Sequence, residues 1–320
     1  MKILFSVFVC FFWFFLFPVQ SQTVEYGIVN QSVINLRQHP SFAAEMGTQA
    51  LMGTPVHILE TEHGWSRVMT PDGYTSWTTQ ESVQPMSIDQ YKTWNAAPKM
   101  IVTAYFTVLR AQPTQNAPVV SDVVWGDILR QDGTYGAYYR LLLPDGRTAY
   151  LQKAYAIPFD QWLTTRRPTA QHIIATAKCF IGFPYLWGGT SIKGMDCSGF
   201  VKTCFFLNGV ILKRDAWQQA LTGDSVSLSD GYVHLKPGDL LFFGSKKEGK
   251  IHVSHVGLYI GNGEFIHSSG MVHISSLLPT SKAYDAYNTK RLLSARRMLT
   301  RIDKDSGIIS IAKHPFYQSK

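Results

Sequence analysis

Two stretches in the first half of this chain match each other without a gap, and that repeat restricts the possible folds more than any other feature. The first holds Ile34-Asn35-Leu36-Arg37, Pro40, Gly53, Trp65, Arg67, Pro71-Asp72-Gly73 and Trp77. The second holds Thr107-Val108-Leu109-Arg110, Pro113, Gly126, Tyr138, Arg140, Pro144-Asp145-Gly146 and Tyr150. Every pair is 73 positions apart, as Arg110 is from Arg37 and Gly146 from Gly73. A gapless match over so many positions reads as a duplicated unit. Each unit has short alternating runs, such as 55–60 and 139–143, and an Asp-Gly turn between two aromatic-bearing strands. That pattern suits a small antiparallel barrel of about five strands in each unit.

Ahead of the repeat, Met1-Lys2 is a short basic start and residues 3–17 are almost wholly apolar. Pro18-Val19-Gln20-Ser21 then offers small residues for cleavage. This reads as a secretory leader over 1–21, too short for a comfortable membrane span. Cys10 lies inside it without the small residues that precede a lipidated cysteine. About 300 residues remain, enough for two or three domains. Hydrophobic content of 45% with 16% charged residues indicates real cores. The net charge of +8, or +7 once Lys2 is lost, comes without an arginine-rich run or basic helix. Nucleic acid is therefore a poor partner, and an anionic polymer such as a cell wall a better one. The mature chain keeps Cys179, Cys197 and Cys204, an odd number that leaves at least one thiol free. A bridge between Cys179 and Cys204 is open on spacing alone.

The composition changes between Pro158 and Pro168, and residues 170–181 read as an amphipathic helix opening a last domain. A glycine-punctuated loop follows and ends on Asp196-Cys197-Ser198-Gly199. A helix is expected to begin near Cys197, with Asp196 as its cap. A thiol in a helix's first turn feels the positive end of the dipole, so its pKa is expected to fall below the ordinary ~8.5. Cysteine is equally at home in a core, so position alone leaves both readings open.

Further on, two strand-like runs flank Gly261-Asn262-Gly263. With those three residues as the loop, paired positions add to 524: His255 faces Ser269, and His267 is its neighbour on the same face. His252 has the opposite parity and is expected to point away. A two-residue loop would separate His255 from His267. A nucleophilic thiol needs a base, and the base needs a third group to fix its tautomer. Cys197, His255 and His267 fill those roles.

These residues resemble the NlpC/P60 cysteine peptidases, papain-like enzymes that cut cell-wall peptides. The likeness rests on Tyr185-Leu186-Trp187-Gly188-Gly189, Asp196-Cys197-Ser198-Gly199-Phe200, Pro237-Gly238-Asp239, Ser254-His255-Val256-Gly257 and His267, spread over about residues 170 to 300. The duplicated units resemble bacterial SH3-like domains. With Arg214-Asp215-Ala216, the whole looks like the subgroup that cleaves between γ-D-glutamate and the diamino acid of short murein peptides.

The resemblance implies an α+β fold: SH3-like domains at 22–95 and 96–158, then a papain-like catalytic domain at 159–320. It implies Cys197 as nucleophile, His255 as general base and acid, and His267 as orienter. The Tyr185 hydroxyl and the Cys197 amide would stabilise the oxyanion. Trp187, Asp196 and Ser198 would line the substrate cleft, and Asp215 would capture the free amine of an N-terminal L-alanine. Glu45 and Tyr74, whose counterparts in the second repeat are Pro118 and Arg147, are the candidates for closing the cleft. No cofactor or metal is implied. The expected partner is a murein peptide, with no nucleic acid and no stable membrane insertion after leader cleavage, and a monomer is expected. A zinc enzyme using Cys197, His255, His267 or His252-x-x-His255 is an alternative, as is a wall-binding protein with a dead catalytic domain. Neither the diamino acid, the role of the second unit, nor the tail from Asp305 onward can be read from the sequence.

Overall fold

Each repeated block folds into five strands, and each gains one more strand before and one after it. A computed structural model of the chain describes residues 25–318, so the expected leader at 1–21 lies outside them. The first sheet has seven strands, in the order Met46–Leu51, Val33–Arg37, Thr75–Thr79, Trp65–Met69, Pro55–Glu62, Glu25–Val29, Val83–Met86. The second sheet, between Lys99 and Pro158, repeats that order strand for strand. Five was thus right for the duplicated block and short for the sheet, because the flanking strands lie outside the matching residues. The shared residues do the same work twice. Arg37 pairs with Trp77 and donates to the Ala44 carbonyl at 2.6 Å; Arg110 pairs with Tyr150 and donates to the Ala117 carbonyl at 2.9 Å.

The two sheets meet through equivalent turns. The Met52 amide donates to the buried Asp127 carboxylate at 3.0 Å, and the Ile128 amide to the Met52 carbonyl at 2.9 Å. Met52 itself sits in the second sheet's core.

Among the described residues there are six α-helices: α1 (Ile88–Ala96), α2 (Phe159–Thr165), α3 (Ala170–Lys178), α4 (Cys197–Phe206), α5 (Ala216–Gln219) and α6 (Ala286–Lys290). The third sheet has six strands, in the order Asp224–Val226, Leu292–Arg297, Leu240–Lys247, Lys250–Gly261, Glu264–Ser269, Met271–Ser276. Helix α4 packs against it, with Phe200, Cys204 and Phe205 buried beside Phe242, Val256, Leu258 and Ile266. Cys179, Cys197 and Cys204 are all free thiols, so the Cys179–Cys204 bridge is not formed; Cys179 is exposed and Cys204 fully buried.

The tail from Asp305, which the sequence leaves open, has a clear course. Ile308–Ser310 pairs with Val210–Leu212, and the chain then crosses to the first sheet. There Tyr91 donates its hydroxyl to the Phe316 carbonyl at 2.8 Å, and the Phe316 ring stacks on His57 with centroids 4.2 Å apart.

Candidate active site

Asp196 is where the local chemistry begins. Its carboxylate caps α4 by accepting from the Gly199 amide at 2.7 Å, and it also takes the Gly188 amide at 3.0 Å and the Ser198 hydroxyl at 3.2 Å. Arg214, fully buried, closes a two-pronged pair on it at 3.2 and 2.5 Å. Five donors leave this carboxylate no spare capacity for a ligand, although it lies in the groove wall. Two glycines let the loop ride close. A Cβ on Gly199 would come within 2.0 Å of the Gly189 carbonyl oxygen. One on Gly188, at φ +77°, would come within 2.3 Å of the Met46 carbonyl oxygen of the first sheet.

That packing presents Cys197 at the mouth of α4, on the wall of a groove of about 300 Å³. The expectation of a depressed thiol pKa is not met. Burial, reinforced by the neighbouring Asp196 carboxylate, pushes the thiol up to about 11, against amide hydrogen bonds from Val256 and Ser198 that favour the thiolate. The helix mouth's positive potential is outweighed because the sulfur has lost its water and sits beside a carboxylate.

The two histidines do converge. The loop is shorter than expected, Asn262-Gly263 with Gly261 paired to Glu264. A register shift between Tyr259 and Gly261 nonetheless restores the sum of 524 at Tyr259–Phe265 and Leu258–Ile266, and His255 Nε2 lies 2.7 Å from His267 Nδ1. His267 Nε2 in turn lies 3.0 Å from the Ser275 hydroxyl, supplied by the next strand. Burial pulls the His255 pKa down to about 4, with the charge of Arg291 adding to it. Burial also depresses His267, and His255 adds to that effect. Both rings are held neutral.

His252 corrects the parity expectation. Phe243 pairs with His255 but Gly244 with Val253, so Ser254 is an extra residue in a bulge. The bulge absorbs one position and brings His252 and Ser254 to the groove wall. Among the described residues, no group of three His, Cys, Asp or Glu side chains gathers in a metal-holding arrangement.

The other predicted residues fall around the same groove. Tyr185, Trp187, Ser198 and Asp215 line it, as do Glu45 and Tyr74 from the first sheet. The Trp187 indole donates to Glu45 at 2.6 Å, and Arg214 Nε to the Thr48 hydroxyl at 2.9 Å, so the first sheet is keyed into the groove. Gln49 adds to that seam, accepting from the Thr190 amide at 3.0 Å and the Ser191 hydroxyl at 2.9 Å. Asp215 forms no ion pair among the described residues, and burial raises its pKa. Burial, then the Asp215 charge, raises that of Tyr74; burial also raises Tyr185. Sequence reasoning misses Gln38, Trp217, His252 and Ser254 as groove residues, and Ser275 behind His267. The bulge and the third strand's pairing, which bring in the last three, leave no mark in residue spacing.

The residues compare with known proteins as the geometry suggests. Residues 182–297 match the NlpC/P60 family, and 36–83 match the bacterial dipeptidyl-peptidase Sh3 domain. A gamma-D-glutamyl-L-lysine dipeptidyl-peptidase of Bacillus cereus is 31% identical over 245 residues, covering 74% of this chain and 71% of that protein. Its namesake in Bacillus subtilis is 32% identical over 241 residues, covering 69% and 71%. The crystal structure of an NlpC/P60 family protein from Bacillus cereus superposes with a TM-score of 0.71 at 26% identity, covering 85% of this chain and 99% of that one. A helix-mouth thiol over a sheet bearing paired imidazoles, on this fold, defines a cysteine peptidase. The chain belongs to the NlpC/P60 family, with an SH3-type module ahead of its peptidase domain.

Proposed function

We propose that the protein hydrolyses the bond between γ-D-glutamate and the diamino acid in short murein peptides that carry a free N-terminal L-alanine. One observation carries the reading: Glu45 and Tyr74 of the first sheet line the same groove as Cys197 and Asp215. A groove walled at that point by a second domain favours a peptide end over a long strand. Asp215, without a cation partner, is free to take the peptide's ammonium group, and two nearby acidic groups suit a positive charge. The names of the Bacillus relatives support the same bond.

In this mechanism Cys197 Sγ attacks the γ-carbonyl carbon while its proton passes to His255 Nδ1. His255 then gives that proton to the departing amine. Water, deprotonated by His255, attacks the acyl carbon, and as the C–S bond breaks His255 returns the proton to the Cys197 sulfur. For Nδ1 to accept, His255 must carry its own proton on Nε2 and donate it to His267 Nδ1. His267 then holds a proton on Nε2 and donates it to Ser275. The Tyr185 hydroxyl, kept protonated by burial, is a donor for the developing oxyanion. Trp187 and Ser198 line the bound peptide's path. The apolar run at 3–17, read as part of a secretory leader, supports export to the periplasm or out of the cell.

The test uses L-Ala-γ-D-Glu-L-Lys and its N-acetylated form, with products identified by mass spectrometry. The free peptide should be cut at the γ-D-Glu–Lys bond. Acetylation should lower kcat/KM by about 100-fold, the scale of removing one charge-assisted hydrogen bond from a partly dry site. Equal rates on the two peptides would sink amine capture. Abolition by a chelator but not by iodoacetamide would sink the thiol mechanism.

A further inference from the structure

On the reading just proposed, the substrate carries carboxylates as well as an ammonium group. A γ-linked D-glutamate keeps its α-carboxylate free, and the diamino acid brings at least one more when it ends the peptide. The groove's acidic residues account for the ammonium; something cationic is needed for the carboxylates. Arg214 is locked to Asp196, Lys202 is paired with Asp72 at 2.7 Å, and Lys213 donates to the Asp72 carbonyl at 3.3 Å. None of the three is available.

Arg291 is differently placed. It precedes the Leu292–Arg297 strand and reaches across Gly244 to donate to the Ser254 hydroxyl at 2.6 Å. Ser254 lines the groove because the bulge turns it there, one residue before His255. The guanidinium lies over the Tyr287 ring, 4.5 Å from its centroid, which fixes its plane. It forms no ion pair among the described residues. The nearby Asp285 is already engaged, accepting from the Asn288 amide at 2.9 Å and its side-chain amide at 2.6 Å. The Arg291 charge lowers the His255 pKa, opposed by that of Asp285. One arm of the fork meets Ser254 and the other donates to Asn288 Oδ1 at 3.5 Å, with no anion on either; such a planar set of donors beside a groove residue suits a carboxylate.

We infer that Arg291 and the bulged Ser254 form a carboxylate-recognising subsite at the lip of the groove, reading one of the two free carboxylates that flank the scissile bond. The groove would then be polarised, with Asp215 and Glu45 for the ammonium group and Arg291 for the carboxylate, a match to a short peptide with charged groups at both ends.

Three substrates separate the sources: L-Ala-γ-D-Glu-L-Lys, the same peptide with the glutamate α-carboxylate as carboxamide, and the same peptide with the lysine carboxylate as carboxamide. Arg291→Gln should raise KM on the parent peptide by about tenfold or more, as for other charge-assisted hydrogen bonds. It should leave KM unchanged on whichever carboxamide lacks the recognised group, which identifies that group and shows the variant is folded. Arg291→Lys, with charge but no fork, should fall between. Equal effects of Arg291→Gln on all three peptides, or no effect on any, would overturn the subsite while leaving the proposed activity standing. Failure of the wild type to cut the parent peptide would overturn both.

Discussion

Burial acts on Cys197 and His255 in the same sense, raising the acid and weakening the base, which favours the neutral form of each. On the proposed mechanism the thiolate is then made only as substrate arrives. Alkylation of the free enzyme by iodoacetamide should accordingly climb with pH from neutrality towards about 11. A rate already flat below pH 6 would reveal a standing thiolate–imidazolium pair and contradict the neutral one. Ser275 extends the same hydrogen-bonded chain by one residue. Ser275→Ala leaves His267 Nε2 without its partner and frees the other tautomer, so kcat should fall by about tenfold with KM little changed. Ser275→Thr, which restores a hydroxyl, should recover most of that loss; equal losses in both variants would point to packing instead.

At the level of elements, the Asp196–Arg214 pair ties α4, its preceding loop and the first sheet into one unit. Both side chains are buried, so removing one leaves an uncompensated charge. Arg214→Met should destabilise the peptidase domain by about 3 kcal/mol or more, seen as a lower thermal midpoint. The pair Asp196→Asn with Arg214→Met should recover part of it, since no buried charge then remains; a double variant as unstable as the single would show that the cost is one of packing. The histidine-bearing strand offers a contrast. Its alternation runs as read from Tyr259 back to His255, and there it stops, because the bulge at Ser254 shifts every residue before it by one. Nothing in residues 250–255 announces a bulge, which is set by how the strand meets its neighbour.

Over the whole molecule, the groove is walled by the first sheet's module and the peptidase domain, and a strap ties the two together. The tail runs from the peptidase domain back to the first sheet, where Phe316 packs on His57 and its carbonyl is held by Tyr91 and Asn95. Tyr317 is partly buried at the same seam and lines a cavity of about 60 Å³ together with Asp72, Lys202 and Thr203. A chain ending after Ser310 lacks this strap but keeps all of the groove's own residues. Its kcat should stay within about threefold while KM for the free tripeptide rises about tenfold, as Glu45 and Tyr74 are no longer held in a fixed position. Unchanged KM would show the first sheet is held by the groove seam alone.

The sequence by itself determined the duplicated five-strand blocks and the capped helix carrying Cys197 and, on condition of the loop's register, the partnership of His255 with His267. Each of these rests on local propensity, turn chemistry or strand alternation, which a chain carries wherever it folds. Tertiary structure alone decided the rest. The thiol's pKa follows from desolvation rather than from helix position, Ser254 and His252 face the groove through a bulge, and Ser275 arrives on a third strand. Arg291 likewise meets Ser254 only because two strands flank a glycine. These depend on dehydration and on the meeting of residues distant in sequence, quantities that no spacing along the chain records.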